Sequence, residues 1–289
     1  MLVSPRMDHS PIFWKIGGHS FDVSAHGLIM GVLNVTPDSF SDCGEFYSPE
    51  RALDHGLRMA AEGAQIIDIG GESTRPGAHA VSAEVEAKRV LPVLKMLRAQ
   101  SPVAISVDTS KAVVARAALD AGASIINDVS GGRADADMLP LAADRGAALI
   151  IMHMQGTPET MQLAPTYNDV VAQVTDFFRQ QYSRAIECGI DPLAIAFDPG
   201  IGFGKTLEHN LELLRNLPQL RVENRPLAVG VSRKSFLGTV TGSSEMSART
   251  SATIALTAVL RDRGANILRV HDVPENVAAL RAAEAIQLR

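Results

Sequence analysis

The sequence predicts an α/β fold, a (β/α)8 TIM barrel preceded by an N-terminal β-hairpin. Three observations lead there. Eight apolar runs alternate with helical patterns, strand then helix, with no linker-like stretch between them. A Gly-Ala pair closes four of the helical patterns just before the next strand, at Gly63-Ala64, Gly122-Ala123, Gly146-Ala147 and Gly264-Ala265. The strands also turn polar on one parity, and only at their C-terminal ends. A length of 289 residues is ordinary for one such barrel. A doubly wound open sheet is the competing architecture.

In chain order, residues 1–10 read as a loose end without the apolar core of a signal peptide. Phe13–Ile16 against Ser20–Val23, around Gly17-Gly18, reads as a hairpin. Residues 1–27 thus form an extension, and residues 28–289 a single domain. The expected strands are Leu28–Asn34, Gln65–Gly70, Val103–Asp108, Ser124–Asp128, Ala147–Met152, Leu193–Asp198, Leu227–Val231 and Asn266–Val270. The helical patterns between them are Pro49–Glu62, Ala83–Arg98, Lys111–Asp120, Asp135–Arg145, Asp169–Cys188, Leu207–Leu214, Ser247–Arg261 and Pro274–Leu288.

Composition narrows the function. A net charge of −5 argues against general binding to nucleic acid or anionic membranes. No run of 18 apolar residues appears, so no membrane-spanning helix is expected. The two cysteines, Cys43 and Cys188, lack Cys-x-x-Cys spacing, which fits a reducing cytosol and a cytoplasmic protein. His9, His19, His26, His55, His79 and His209 have no partners at metal-ligand spacing. His153 falls on the parity that faces the helices and reads as structural.

Period-two alternation sorts each strand into two faces. One carries Met30, Val32 and Asn34; Ile66, Asp68 and Gly70; Ser106 and Asp108; Ile125 and Asn127; Ile150 and Met152; Ala194, Ala196 and Asp198; Ala228, Gly230 and Ser232; Ile267, Arg269 and His271. The other is mainly apolar and suits packing on helices. Barrel enzymes place their sites at the C-terminal strand ends. A lone Asp there is more often a turn former or helix cap, but polar groups of one parity on most strands point to a ligand. Asp108, Asn127 and Asp198 supply acceptors; Lys234, Arg269, His271 and Arg75 supply positive charge. This suits a donor-rich heterocycle joined to an anionic group.

Two loops extend that reading. Asp198-Pro-Gly-Ile-Gly-Phe-Gly-Lys205 allows close backbone approach and exposes Phe203, though its glycine spacing is not that of a Walker loop. Ser232-Arg-Lys-Ser235 feeds a short helix whose N-terminal N–H groups suit an anion.

Taken in order, the motifs resemble the dihydropteroate synthase family of pterin-binding folate-biosynthesis enzymes. They are Gly31-Val-Leu-Asn-Val-Thr-Pro-Asp-Ser-Phe-Ser-Asp42, Asp68-Ile-Gly-Gly-Glu-Ser-Thr-Arg-Pro-Gly77, Met152-His-Met-Gln-Gly-Thr-Pro158, the loop 198–205, Gly230-Val-Ser-Arg-Lys-Ser235 and Arg269-Val-His-Asp272. The resemblance implies a transferase that joins 6-hydroxymethyl-7,8-dihydropterin diphosphate to 4-aminobenzoate and releases diphosphate, and a target of sulfonamides. It implies Mg²⁺ held at Asn34. Thr74, Asp108, Asn127, Asp198, Lys234 and the Arg269-Val270-His271 run would bind the pterin diphosphate, with Lys234, Arg269 and His271 serving the chemistry. Phe40, Arg75, Pro76, Phe203 and Ser235 would form the 4-aminobenzoate site, and the loop 36–44 would act as a lid. It also implies a homodimer through the late helices. An arylamine needs no strong base, and no Ser-His-Asp or Cys-His arrangement is present; an SN1-like departure of diphosphate fits best. One departure from the family pattern is Cys43, where a glycine usually precedes Gly44. The alternatives are a pterin-binding corrinoid methyltransferase domain and an inactive paralogue.

Overall fold

The computed structural model describes residues 11–36 and 48–287. Phe40 and Cys43, and with them the expected lid, lie outside the described residues. The described chain forms the hairpin strands β1 (Phe13–Ile16) and β2 (His19–Asp22), then eight parallel strands. These are β3 (Leu28–Asn34), β4 (Ile66–Gly70), β5 (Ala104–Asp108), β6 (Ile125–Asp128), β7 (Ala148–Met152), β8 (Ile195–Asp198), β9 (Ala228–Val229) and β10 (Ile267–Val270). The ladder runs β8-β7-β6-β5-β4-β3-β10-β9, and a parallel bridge from Phe197 to Leu227 joins its ends into a barrel.

Helices follow each strand: α1 (Pro49–Ala61), α2 (Ala83–Gln100), α3 (Ala112–Asp120), α4 (Met138–Arg145), α5 (Val170–Glu187), α6 (Leu207–Arg215), α7 (Ser235–Thr241), α8 (Met246–Asp262) and α9 (Val273–Gln287). The Gly-Ala device works as a helix stop. All four glycines have positive φ, and the alanine N–H donates back to the carbonyl six residues from it in sequence counting both ends, as in Ala64 to Met59 and Ala265 to Leu260. Gly189-Ile190 ends α5 in the same way, a fifth instance without the alanine.

Several boundaries differ from the sequence reading, most of all β9, which is Ala228–Val229 rather than Leu227–Val231, and two of the shifts have a visible cause. The second hairpin strand begins at His19, because Gly17 and Gly18 both take positive φ and make a two-residue turn. α4 begins at Met138 rather than Asp135, because the Asp135 carboxylate accepts from the N–H of Ala112 and of Asp137 and stays outside the helix.

The two strand faces separate as the alternation predicts. Ile29, Leu33, Ile67, Ile69, Ile105, Val107 and Phe197 pack outward with the helices. Met30, Ile66, Ile125, Ile150, Ala196, Ala228 and Ile267 pack inside the barrel, together with Ile12, Trp14, Ile16 and Val23 of the N-terminal segment. The hairpin is therefore a plug in the floor. Trp14 is fully buried, its indole N–H donates to the Ala194 carbonyl at 3.0 Å, and Lys15 pairs with Asp191 at 2.8 Å. A closed floor leaves the C-terminal end as the way in.

Trp14→Ala removes the largest side chain of that plug and leaves a carbonyl unpaired. Urea denaturation should show a loss of about 3–5 kcal/mol. A loss below about 1 kcal/mol would mean that the hairpin does not support the barrel.

Candidate active site

One step up from the apolar floor, the inward face becomes charged. Arg269 of β10 reaches across the barrel: its Nε donates to Asp68 Oδ2 at 2.7 Å and its Nη2 to Asp108 Oδ2 at 2.8 Å. Asn127 Nδ2 donates to the same Asp68 oxygen at 3.0 Å. Asp68 is the residue the sequence reading missed. It belongs to the inward-facing set, but Gly70 holds the tip of its strand, and nothing local marks Asp68 as part of the site. In the structure it organises Arg269 and Asn127, from strands far apart in the sequence. Asp68 Oδ1 and Ser106 Oγ, neighbours in register on β4 and β5, are buried with no hydrogen-bond partner among the described residues. Two such atoms mark a place where the polar edge of a ligand completes the bonding.

Asp198 ends β8 and opens the loop 199–206. Its Oδ1 accepts from Gly200 N–H at 2.7 Å. Gly200 is obligatory here: its φ is +64°, and a Cβ would lie 1.9 Å from the His153 carbonyl oxygen. Lys205 ties the loop to its neighbour, its Nζ donating to the carbonyls of Phe203 (3.0 Å) and His153 (3.3 Å) and to His153 Nδ1 (3.0 Å). Burial pushes Lys205 down to about 7, and burial with the nearby Lys205 and Arg133 cations pushes His153 down to about 2. His153 is thus neutral and also packs edge-on to Phe177 at 5.0 Å, the structural role its parity indicated. Lys234 Nζ donates to the Ile201 carbonyl and lies 4.6 Å from the centre of the Phe203 ring. Burial lowers Lys234 to about 8 and raises Asp198 above the usual carboxylate range.

The tips of β9 and β10 are clamped together. Arg233, held at a φ of +59°, makes a two-pronged pair with Asp272, and Ser232 Oγ contacts both the main-chain N–H (3.1 Å) and Nδ1 (2.9 Å) of His271. Lys234 therefore leads into α7 with Ser235 exposed at its first turn. Val270 lies in the outer apolar cluster, so within the barrel only its backbone is on offer.

The loop after β4 is fixed from below. Lys111 Nζ pairs with Glu72 and, at 2.6 Å, with fully buried Glu86, while Gly77 N–H donates to the Pro158 carbonyl at 3.0 Å. Thr74 is half-buried there, and Arg75 and Pro76 are exposed on the same loop. Asn34 ends β3 beside Gly70, where an added Cβ would lie 3.7 Å from Asn34 Oδ1 and 3.5 Å from Asp108 Cβ. The missing side chain leaves a gap between the Asn34 carbonyl and the Asp108 carboxylate. Among the described residues no group of three or more His, Cys, Asp or Glu is gathered to hold a metal, so a cation here would take few protein oxygens.

The mouth thus combines carboxylates and an amide on β5, β6 and β8 with cations and N–H donors on β9 and β10. Burial dominates the carboxylates: Asp108 is lifted to about 7 by desolvation and by Asp68, against the opposing pull of Arg269.

Residues 30–271 match the family of pterin binding enzymes. The dihydropteroate synthase of Escherichia coli is 47% identical over 270 residues, covering 93% of this chain and 94% of its own length. The Xanthomonas albilineans dihydropteroate synthase solved with 4-aminobenzoic acid superposes with a TM-score of 0.89 at 42% identity, covering 97% of this chain and all of that one. The same organism's enzyme in complex with 7,8-dihydropteroate gives a TM-score of 0.86 at 40% identity, covering 96% of this chain and 99% of that one.

Removing the fully buried Asp68 leaves the partly buried guanidinium of Arg269 on one carboxylate. Asp68→Ala should cost about 3–5 kcal/mol in chemical denaturation, and a cost under about 1 kcal/mol would show that Arg269 does not depend on it. Asp108 makes a pH prediction. Its folded carboxyl keeps a proton up to about 7, whereas an ordinary one releases it near 3.8. The ligand-free fold therefore binds more protons than the unfolded chain across that window, and the contribution of Asp108 to stability falls as pH rises through it. Melting temperatures of the protein and of Asp108→Asn, compared from pH 4.5 to 8, should shift in favour of the variant as pH rises; parallel curves would remove the raised carboxyl.

Proposed function

Because the chain belongs to the pterin-binding enzymes, and within them to the dihydropteroate synthases, we propose residue roles for the transfer that such a synthase performs. It condenses 6-hydroxymethyl-7,8-dihydropterin diphosphate with 4-aminobenzoate, giving 7,8-dihydropteroate and diphosphate. The observation that carries the assignment is the division of the barrel mouth. Carboxylates and an amide lie on one side, and cations with N–H donors lie on the tips of β9 and β10.

Asp198, Asp108 and Asn127 accept and donate along the pterin edge, where a carboxylate suits two parallel N–H groups. Lys234 sits against the same ring, and Arg269, steadied by Asp68, flanks it. Thr74 and the backbone of Val270 line the same pocket. Phe203, Arg75, Pro76 and Ser235 surround the 4-aminobenzoate; Phe40, which the family resemblance assigns to the same substrate, lies outside the described residues. The gap beside Gly70 and the hard carbonyl oxygen of Asn34 suit Mg²⁺, which takes one or two protein oxygens and fills its shell from water and phosphate. When bound, that ion supplies charge neutralisation at the diphosphate.

The difficult event is breakage of the bond between the pterin methylene and the diphosphate oxygen. Arg269 and His271 meet the leaving group, and their contacts strengthen as charge gathers on it. The carboxylates of Asp198 and Asp108 favour positive charge delocalised over the dihydropterin, so departure precedes attack. The arylamine nitrogen then bonds to the methylene carbon and gives up a proton; it needs no strong base. Exposed Val240, Met246, Val259 and Ile286 on α7, α8 and α9 support a homodimer through the late helices, and the exposed thiol of Cys188 supports a reducing cytoplasmic setting.

The reading is tested by diphosphate release that requires both 4-aminobenzoate and Mg²⁺; folded protein without turnover would remove it. In the same preparation Asp198→Asn, which exchanges an acceptor for a donor, should weaken the pterin diphosphate by roughly ten- to a hundredfold in calorimetry. Unchanged affinity would take Asp198 out of the pterin site.

A further inference from the structure

We infer that Ser232 fixes the proton of His271 on Nε2, so that the imidazole meets the leaving diphosphate as a neutral N–H donor and not as a cation. The inference rests on the diphosphate-transfer reading above and assigns a positioning role to a residue that reading does not use.

The argument is one of hydrogen-bond capacity. Ser232 Oγ lies 3.1 Å from the main-chain nitrogen of His271 and 2.9 Å from its ring Nδ1. A hydroxyl has one proton to give and two lone pairs to receive. The main-chain N–H can only donate, so it takes a lone pair. The hydroxyl proton then needs an acceptor, and among the described residues Nδ1 is the one within reach. Were Nδ1 protonated instead, Oγ would receive two donors and its own O–H would go unpaired in a buried position, costing about 1–3 kcal/mol. The ring therefore accepts at Nδ1 and carries its proton at Nε2.

The surroundings keep the ring uncharged. The groups facing it are Arg269 on its own strand, Arg233 at the tip of β9, Arg75 on the loop after β4, and Asp272. Asp272 is the lone anion of that set and is taken up by both prongs of Arg233. Burial, with three guanidiniums in the neighbourhood, holds the imidazole down to about 3. His271 consequently neither delivers a proton to diphosphate nor contributes positive charge. It directs one polarised N–H, with its direction set by the serine.

The test is two-bond ¹H–¹⁵N NMR on enzyme labelled at histidine, with the His271 signals assigned by their loss in His271→Asn. At neutral pH the expected pattern is a neutral ring with a protonated Nε2 and an unprotonated Nδ1; a proton on Nδ1, or an imidazolium, overturns the inference. Ser232→Ala should give a mixture of tautomers and Ser232→Thr should restore the single form. A single form that persists in Ser232→Ala overturns the role of the serine. Inorganic diphosphate with Mg²⁺ should shift Nε2 without charging the ring; an unmoved Nε2, or an imidazolium on binding, overturns the donor role. In turnover, Ser232→Ala should lower kcat by up to ~10²-fold with the KM for 4-aminobenzoate unchanged, and Ser232→Thr should recover it. Equal kcat in the two variants counts against the inference. Failure of the synthase reading itself would show differently, as absence of turnover in the unsubstituted enzyme.

Discussion

The barrel is organised around a partly buried guanidinium. Arg269 would be costly to hold inside a closed sheet, and the fold offsets that cost by setting carboxylates from two other strands against it. Asp68 holds Nε and Asp108 holds Nη2, so the fork cannot swing. Because the partners come from β4, β5 and β10, the arrangement exists only when those strands are in register. The ladder supplies that register through β3, whose Asn34 stands opposite Gly70, itself opposite Asp108. Closure of the sheet and placement of the charge are thus one structural fact. The plug beneath makes the same point from the apolar side: with Trp14 and Ile16 filling the floor, water reaches the charges from above, and their fields stay strong.

Much of this was legible in the sequence because it depends on local rules. Alternation within each strand separated Ile67 and Ile69 from Asp68, and the structure keeps that separation. The recurrent Gly-Ala stops were readable because a helix end needs a left-handed residue, and four such glycines take one. Asp108, Asn127, Asp198, Lys234, Arg269 and His271 all stand at the barrel mouth where strand ends place them. What was not legible is pairing between distant residues. Nothing local says that Asp68 serves Arg269, 201 positions away, or that Trp14 finds the carbonyl of Ala194, 180 positions away. The Lys111 pairs with Glu72 and Glu86 are of the same kind. They fix the base of the loop carrying Thr74, Arg75 and Pro76, yet each residue reads alone as a solvated charge. His153 shows the reverse case, where parity alone excluded a histidine from the site and burial against Lys205 and Phe177 gives the reason.

The site divides its electrostatic work by the kind of partner each cation has. Some charges are paired with carboxylates: Arg269 with Asp68 and Asp108, Lys111 with Glu72 and Glu86. Lys205 and Lys234, held mainly by carbonyls, have their ammonium forms weakened by burial. In the proposed reading, Lys234 orients the substrate without neutralising it completely. This suits a substrate whose ring must carry positive charge for part of the reaction, since a fully cationic pocket would oppose that charge.

The same economy bears on the proposal that His271 serves at the diphosphate end without its charge. A cationic imidazole between Arg269, Arg233 and Arg75 would need a fourth like charge in one small volume, and burial makes that dearer still. A neutral ring avoids the repulsion but has an ambiguity that a guanidinium lacks, because its single proton can sit on either nitrogen. Ser232 removes the ambiguity at Nδ1, using a hydroxyl that is itself fixed by the His271 main-chain N–H. The Arg233–Asp272 pair then holds the two strand tips at the spacing that contact requires. Direction, set by neighbouring strands, takes the place of charge.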